Sequence, residues 1–169
     1  MAAYDLTLVF CSEAQVFNAG GYRWTDDDTP TDVDVYEFAQ QAAGDISMVT
    51  LGAGSRLDPP ASGISDVGLR NIVVRANAVG AAYYAWTVMA KAGDEDALDT
   101  RNQYREQWIR YIGGTAANGK EVQGTIPTAV ATTASTFLGR NDETGGHVKF
   151  PSSGTAKTLD RPFTDADVD

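Results

Sequence analysis

Apolar residues recur three or four positions apart along three stretches of this chain, the spacing that lays one stripe down a helix. The first stripe is Val35, Phe38, Ala39, Ala42, Ile46 and Val49, opened by Thr31 or Asp32 and closed by Gly52 or Gly54. Gly44 falls inside it at a cost of about 1 kcal/mol against alanine, so the helix should bend or pack closely there. Two longer patterns, Asp66–Lys91 and Asp94–Ile112, follow back to back across Ala92-Gly93. Ser65 or Asp66 caps the earlier one, which aligns Leu69, Ile72, Ala76, Val79, Tyr83, Trp86 and Ala90. Ala78, Gly80, Ala81, Ala82 and Ala85 fill its flanks, and small flanks admit neighbouring backbones, so this helix belongs at the centre. The later one, capped by Asp94 or Asp96, sets Leu98, Arg101, Tyr104, Trp108, Ile109 and Ile112 on a face and ends at Gly113-Gly114. Arg105 and Arg110 stand with Arg101 among its polar positions. Long helices on so short a hinge must fold back on one another, and this pair is the expected scaffold.

The flanking segments read differently. The segment Tyr4–Phe10 alternates partly, with Leu6, Leu8 and Phe10 on one side of an extended chain and Asp5 and Thr7 opposite, which predicts a short strand or extended arm, a helical start being also compatible. Ser12 can cap a short helix over Glu13–Asn18, with Gly20-Gly21 ending it, before the polar loop Thr25–Pro30. Between the first long helix and the second, Ser55–Ile64 contains Pro59-Pro60 and Gly63 and reads as a rigid extended loop. Beyond Gly114 the chain turns rich in Thr, Ser, Gly and Ala. Ile126–Ala131 and Thr136–Leu138 are predicted as strands, with His147–Phe150 pairing back across the turn Asn141–Gly146. That stretch has too few large apolar residues for its own core, and the acidic run Asp160–Asp169 is expected to fray. The fold class expected is therefore mainly α, an antiparallel helical bundle of three to four helices with extended or short β-strand N- and C-terminal arms. Residues 1–114 form the helical body with its N-terminal arm, and 115–169 the C-terminal arm, partly β with an acidic tail.

Charge narrows the function. Thirteen basic and 23 acidic residues give a net charge of −10, which argues against a surface built to hold phosphates or anionic lipid. No apolar run approaches the roughly 18 residues of a membrane span, and Met1–Phe10 lacks the basic start and cleavage site of a secretory signal. A single cysteine, Cys11, excludes an intrachain disulfide framework and fits assembly in a reducing compartment.

Candidate chemistry is sparse. His147, the one histidine, sits in a Gly-rich turn without a nucleophile motif, and reads as a solvent-facing turn residue. Cys11 has no nearby cation to favour its thiolate and reads as a small buried apolar residue. The cluster Asp26, Asp27, Asp28, Asp32 and Asp34 offers carboxylates for a divalent ion, but Pro30 stands where a ligand is needed and the loop glycine is missing. A solvated loop leading into a helix N-terminus accounts for it better. Gly52-Ala53-Gly54-Ser55 follows a helix and precedes no lysine, so it is a helix stop and not a phosphate cradle. The expectation is no catalytic residues, no metal and no cofactor.

Three stretches together resemble a known family. One is Leu51-Gly52-Ala53-Gly54-Ser55-Arg56-Leu57-Asp58-Pro59-Pro60, ending a helix. The next is Ala82-Tyr83-Tyr84-Ala85-Trp86 in a long Ala-rich helix. The last runs from Asp99-Thr100-Arg101 through Tyr104 to Trp108-Ile109-Arg110-Tyr111-Ile112-Gly113-Gly114. In order and spacing these are similar to the head–tail connector (head-completion, adaptor) proteins of tailed bacteriophages, over about residues 30–114. The segment after Gly114 is longer than that family's minimal pattern and departs from it. The resemblance implies a virion protein of the phage neck, a homo-oligomeric ring (a dodecamer) that joins the portal protein to a tail or tail-adaptor protein and helps retain packaged DNA.

About twelve copies at −10 each would sum to roughly −120 around the channel, repelling the phosphates of passing DNA. The expected contact residues are Arg56, Leu57, Asp58, Pro59 and Pro60 in the proline loop, and Ile126, Val130, Phe137, Leu138, Val148 and Phe150 in the arm. Asp26, Asp27 and Asp28 are candidates for the channel rim. The alternatives are a tail-terminator or other neck or tail protein, a small acidic metal-binding helical domain, and an acidic mimic of DNA.

Overall fold

The computed structural model of the chain describes residues 4–91 and 95–133. Its elements are α1 (Glu13–Gly20), α2 (Asp32–Gly52), a 3-10 turn (Ala61–Gly63), α3 (Val67–Lys91), α4 (Glu95–Ile112), β1 (Gly114–Thr115) and β2 (Glu121–Val122), followed by a helix, α5, at 125–133. The protein is mainly α.

Local chemistry explains the starts of α1, α2 and α3. Ser12 and Gln15 form a reciprocal capping box on α1, the Ser12 amide donating to Gln15 Oε1 at 2.8 Å, and Gly21 closes the helix at φ 65°. Thr31 and Asp34 do the same for α2, while Asp66 Oδ1 accepts the Leu69 amide at 2.7 Å to start α3. Gly113, at φ 90°, ends α4.

α3 is the centre, packed against α1, α2 and α4. Its small residues make this possible. A Cβ on Gly80 would stand 2.8 Å from the Ala42 Cβ of α2 and 2.9 Å from the Trp108 ring of α4, so three helices meet where only glycine fits. One apolar cluster joins Ile46, Val73, Ala76, Val79 and Trp108, and a second surrounds Trp24, Val35, Ala81, Ala82 and Ala85.

Two sequence expectations are corrected. The segment Ile126–Ala131, expected as a strand, lies within α5, because Ile126 and Val130 are four apart and enter the core together, 0% and 3% exposed. Pro127 is tolerated because it sits in the first turn, where amides have no helical partner. A Cβ on Gly124 would lie 2.4 Å from the carbonyl carbon of Ile112, so the chain doubles back tightly against the end of α4 before α5 begins. The helical body therefore runs past Gly114, through β1 and β2, which pair antiparallel around the Asn118-Gly119 turn.

The N-terminal segment is the second correction. Tyr4–Phe10 is neither strand nor helix; it turns at Asp5, whose carbonyl accepts the Leu8 amide at 3.0 Å. Instead of one alternating face, three successive residues, Val9, Phe10 and Cys11, are buried, while Leu6 and Leu8 stay exposed. The expectations for 136–138, 141–146, 147–150 and 160–169 fall outside the described residues, as does the Ala92-Gly93 hinge.

Candidate interaction surface

The proline loop is positioned by two hydroxyls buried in α2. Ser47 Oγ donates to the Leu57 carbonyl at 2.6 Å, and the Leu57 amide donates to Thr50 Oγ1 at 3.0 Å. Leu57 is thereby drawn partly into the core, which leaves its neighbours Arg56 and Asp58 outside. Those two pair with each other at 2.8 Å, with side chains 58% and 53% exposed. Such an exposed pair contributes little to stability and exchanges partners readily. Beside it, Leu8, Gly44, Met48, Arg56, Asp58 and Pro59 border a groove of about 420 Å³. Of the expected contact residues, then, Arg56, Asp58 and Pro60 are exposed, Pro59 and Leu57 are half-buried, and Ile126 and Val130 lie in the core instead of on an arm. Phe137, Leu138, Val148 and Phe150 lie outside the described residues, as does His147.

The acidic loop divides into unlike parts. Asp28 Oδ2 accepts from the Thr25 amide (2.6 Å) and hydroxyl (2.9 Å), and its Oδ1 accepts from the Tyr22 hydroxyl at 2.9 Å. The Thr25 bonds, then that of Tyr22, hold the Asp28 carboxyl below the usual carboxylate range. Asp28 is thus a staple of the turn. Asp26 meets the carboxyl of Asp32, and that hydrogen bond and the adjoining charge hold its proton more tightly than usual. Asp32 itself is buried at the start of α2. Asp26 and Asp27 are the members of the triplet left exposed, while Asp28 is half-buried.

The reactive candidate is quenched by its surroundings. Cys11 is 1% exposed, and burial pushes its thiol up to about 12, so it is a protonated core residue at neutral pH. Among the described residues no group of three or more His, Cys, Asp or Glu side chains is arranged to hold a metal ion. No helix among them is long and apolar enough to cross a membrane.

The residue that organises this region was not anticipated from sequence. Asn77, fully buried in α3, accepts the amides of Phe10 (2.8 Å) and Cys11 (3.2 Å) on Oδ1 and donates Nδ2 to the Ala39 carbonyl of α2 at 2.8 Å. One carboxamide thus ties the N-terminal segment to two helices and sets Leu8 at the groove. Its signal was available: a lone asparagine inside an Ala-rich run is costly to bury unless its side chain is fully bonded. Tyr104 and Trp86 play a similar part, donating to the Ala19 carbonyl at 2.6 Å and the Gly20 carbonyl at 3.2 Å to hold the end of α1.

The class defined by these features is a mainly helical protein with a braced loop bordering an open, partly apolar groove. No protein-family model, curated protein or solved structure matches the chain.

Proposed function

We propose that the chain is the ring-forming subunit of a tailed-phage head–tail connector, an antiparallel helical bundle with extended arms that joins the portal to the tail. The observation that carries this reading is the braced proline loop. Ser47 and Thr50 fix its backbone, so Arg56 and Asp58 are presented to a neighbour at small entropic cost. The residues that carry the resemblance support it by position: 51–60 spans the end of α2 and this loop, Ala82–Trp86 lies in central α3, and Trp108–Gly114 closes α4. The ring, its portal and tail partners and its place in the virion neck belong to this proposal. So does the part played by exposed Asp26 and Asp27 in keeping DNA mobile in the channel.

Electron microscopy of the purified chain, alone and mixed with portal, tests it. Annular particles seated on the portal are expected; a chain that forms none and leaves the portal bare overturns the reading. The C-terminal arm is tested by truncation after Thr133, which keeps Ile126 and Val130 and so keeps the body folded. That variant should fail to join heads to tails, and success would remove the arm from the proposal.

A further inference from the structure

We propose that α2 carries a self-complementary contact through which two copies of this chain pair antiparallel. The solvent-facing row of α2 runs Gln41, Gly44, Met48, Leu51, at steps of three, four and three, the spacing with which one helix seats on another. Met48 is 66% and Leu51 51% exposed. None of the four is charged, in a chain whose net charge is −10, so this is a strip where two copies can approach without repulsion. Leu8, also exposed, borders the same groove as Gly44 and Met48. Gly44 has no packing reason within the subunit, because a Cβ there would meet nothing within 4 Å. At an exposed mid-helix position alanine is better by about 1 kcal/mol. The glycine leaves a dent, and the protruding Met48 lies one turn away.

Dent and knob are reciprocal, which makes a second copy the occupant. When α2 is laid antiparallel on itself about the level of Ile46, residue 44 faces 48 and residue 41 faces 51, each twice by symmetry. Charge agrees with this register. Glu37, which continues the row toward the N-terminus, passes the end of the other α2, where Arg56 stands exposed. Opposite charges therefore meet at both ends of the uncharged strip. Among the described residues, the partner Arg56 would give up is Asp58, in an exposed pair. This inference does not rest on the connector reading, although it engages Arg56 of the same loop: a two-fold pair closes on itself, whereas a ring is built head to tail.

Sedimentation velocity of the full chain, from micromolar to near-millimolar concentration, tests it. The native chain should pass from monomer to dimer. Gly44→Gln fills the dent while favouring helix, so it should raise the melting temperature yet raise the dimer Kd at least about tenfold. Glu37→Arg and Arg56→Glu should each weaken the dimer, and the two together should restore it. A chain monomeric throughout, or a dimer indifferent to Gly44→Gln, overturns the proposal.

Discussion

Replacing Asn77 by leucine removes one buried carboxamide while keeping its branched skeleton of four heavy atoms, the bulkier methyl groups adding some overpacking to the loss of hydrogen bonds. What is lost is the acceptor for the Phe10 and Cys11 amides and the donor to the Ala39 carbonyl. The carbonyl lies within α2, whose backbone bonding remains, but the two amides belong to a non-helical segment and, among the described residues, bond to Asn77. Each buried orphan donor costs about 1–3 kcal/mol, so losing both bonds should destabilise the protein by about 2–6 kcal/mol, against a total of about 5–15 for a domain of this kind. Urea unfolding followed by tryptophan fluorescence measures this directly, since Trp24 and Trp108 are buried in the two separate clusters. The N-terminal segment should also become sensitive to protease before the helices unfold, because Val9, Phe10 and Cys11 are held down through this residue. A loss below about 1 kcal/mol with residues 4–11 still protected would show that hydrophobic burial alone seats the segment, and would refute the reasoning.

Glycine gives a matched pair of tests. Gly44→Ala meets open space and should stabilise the monomer by about 0.5–1 kcal/mol, whereas Gly80→Ala drives a methyl into Ala42 and Trp108 and should destabilise it by about 1–3 kcal/mol, both read from urea midpoints. Asp28 has its folded pKa depressed, so its contribution to stability is present above the unfolded carboxylate value near 4 and is lost as pH falls through the folded value. Asp28→Asn should therefore flatten the acid limb of a stability–pH curve, and an unchanged limb would contradict the staple role. Cys11 should resist iodoacetamide in the folded protein at pH near 8 and react once the chain is unfolded in urea, as mass spectrometry would show.

Helix positions were legible because three independent signals agree in them: periodic apolar residues, capping boxes and glycine stops. Gly80 and its alanine neighbours likewise announced a crowded central helix. α5 was not read, because Thr and Val favour strands locally and Pro127 looks like a breaker; the four-residue spacing of Ile126 and Val130 was the stronger clue. The N-terminal segment misled for a different reason. Its alternation was partial, broken at Val9, and a long-range partner, Asn77, helped choose which residues went inside, a bond spanning 67 positions that no local pattern encodes. The loop at Arg56 was legible as rigid, while the hydroxyls that brace it, Ser47 and Thr50, sit on what reads as an ordinary helix. The acidic loop showed its composition but not its division of labour, which depends on Tyr22 and Asp32 folding onto it.

The crossing of Gly124 beneath Ile112 decides how load would enter the molecule. Any pull on the chain beyond α5 meets the buried pair Ile126 and Val130 before it reaches the hairpin, so tension is borne by the interior and not by a peeling edge. A tether rooted that deep is fastened to the interior by Ile126 and Val130 and not to the surface.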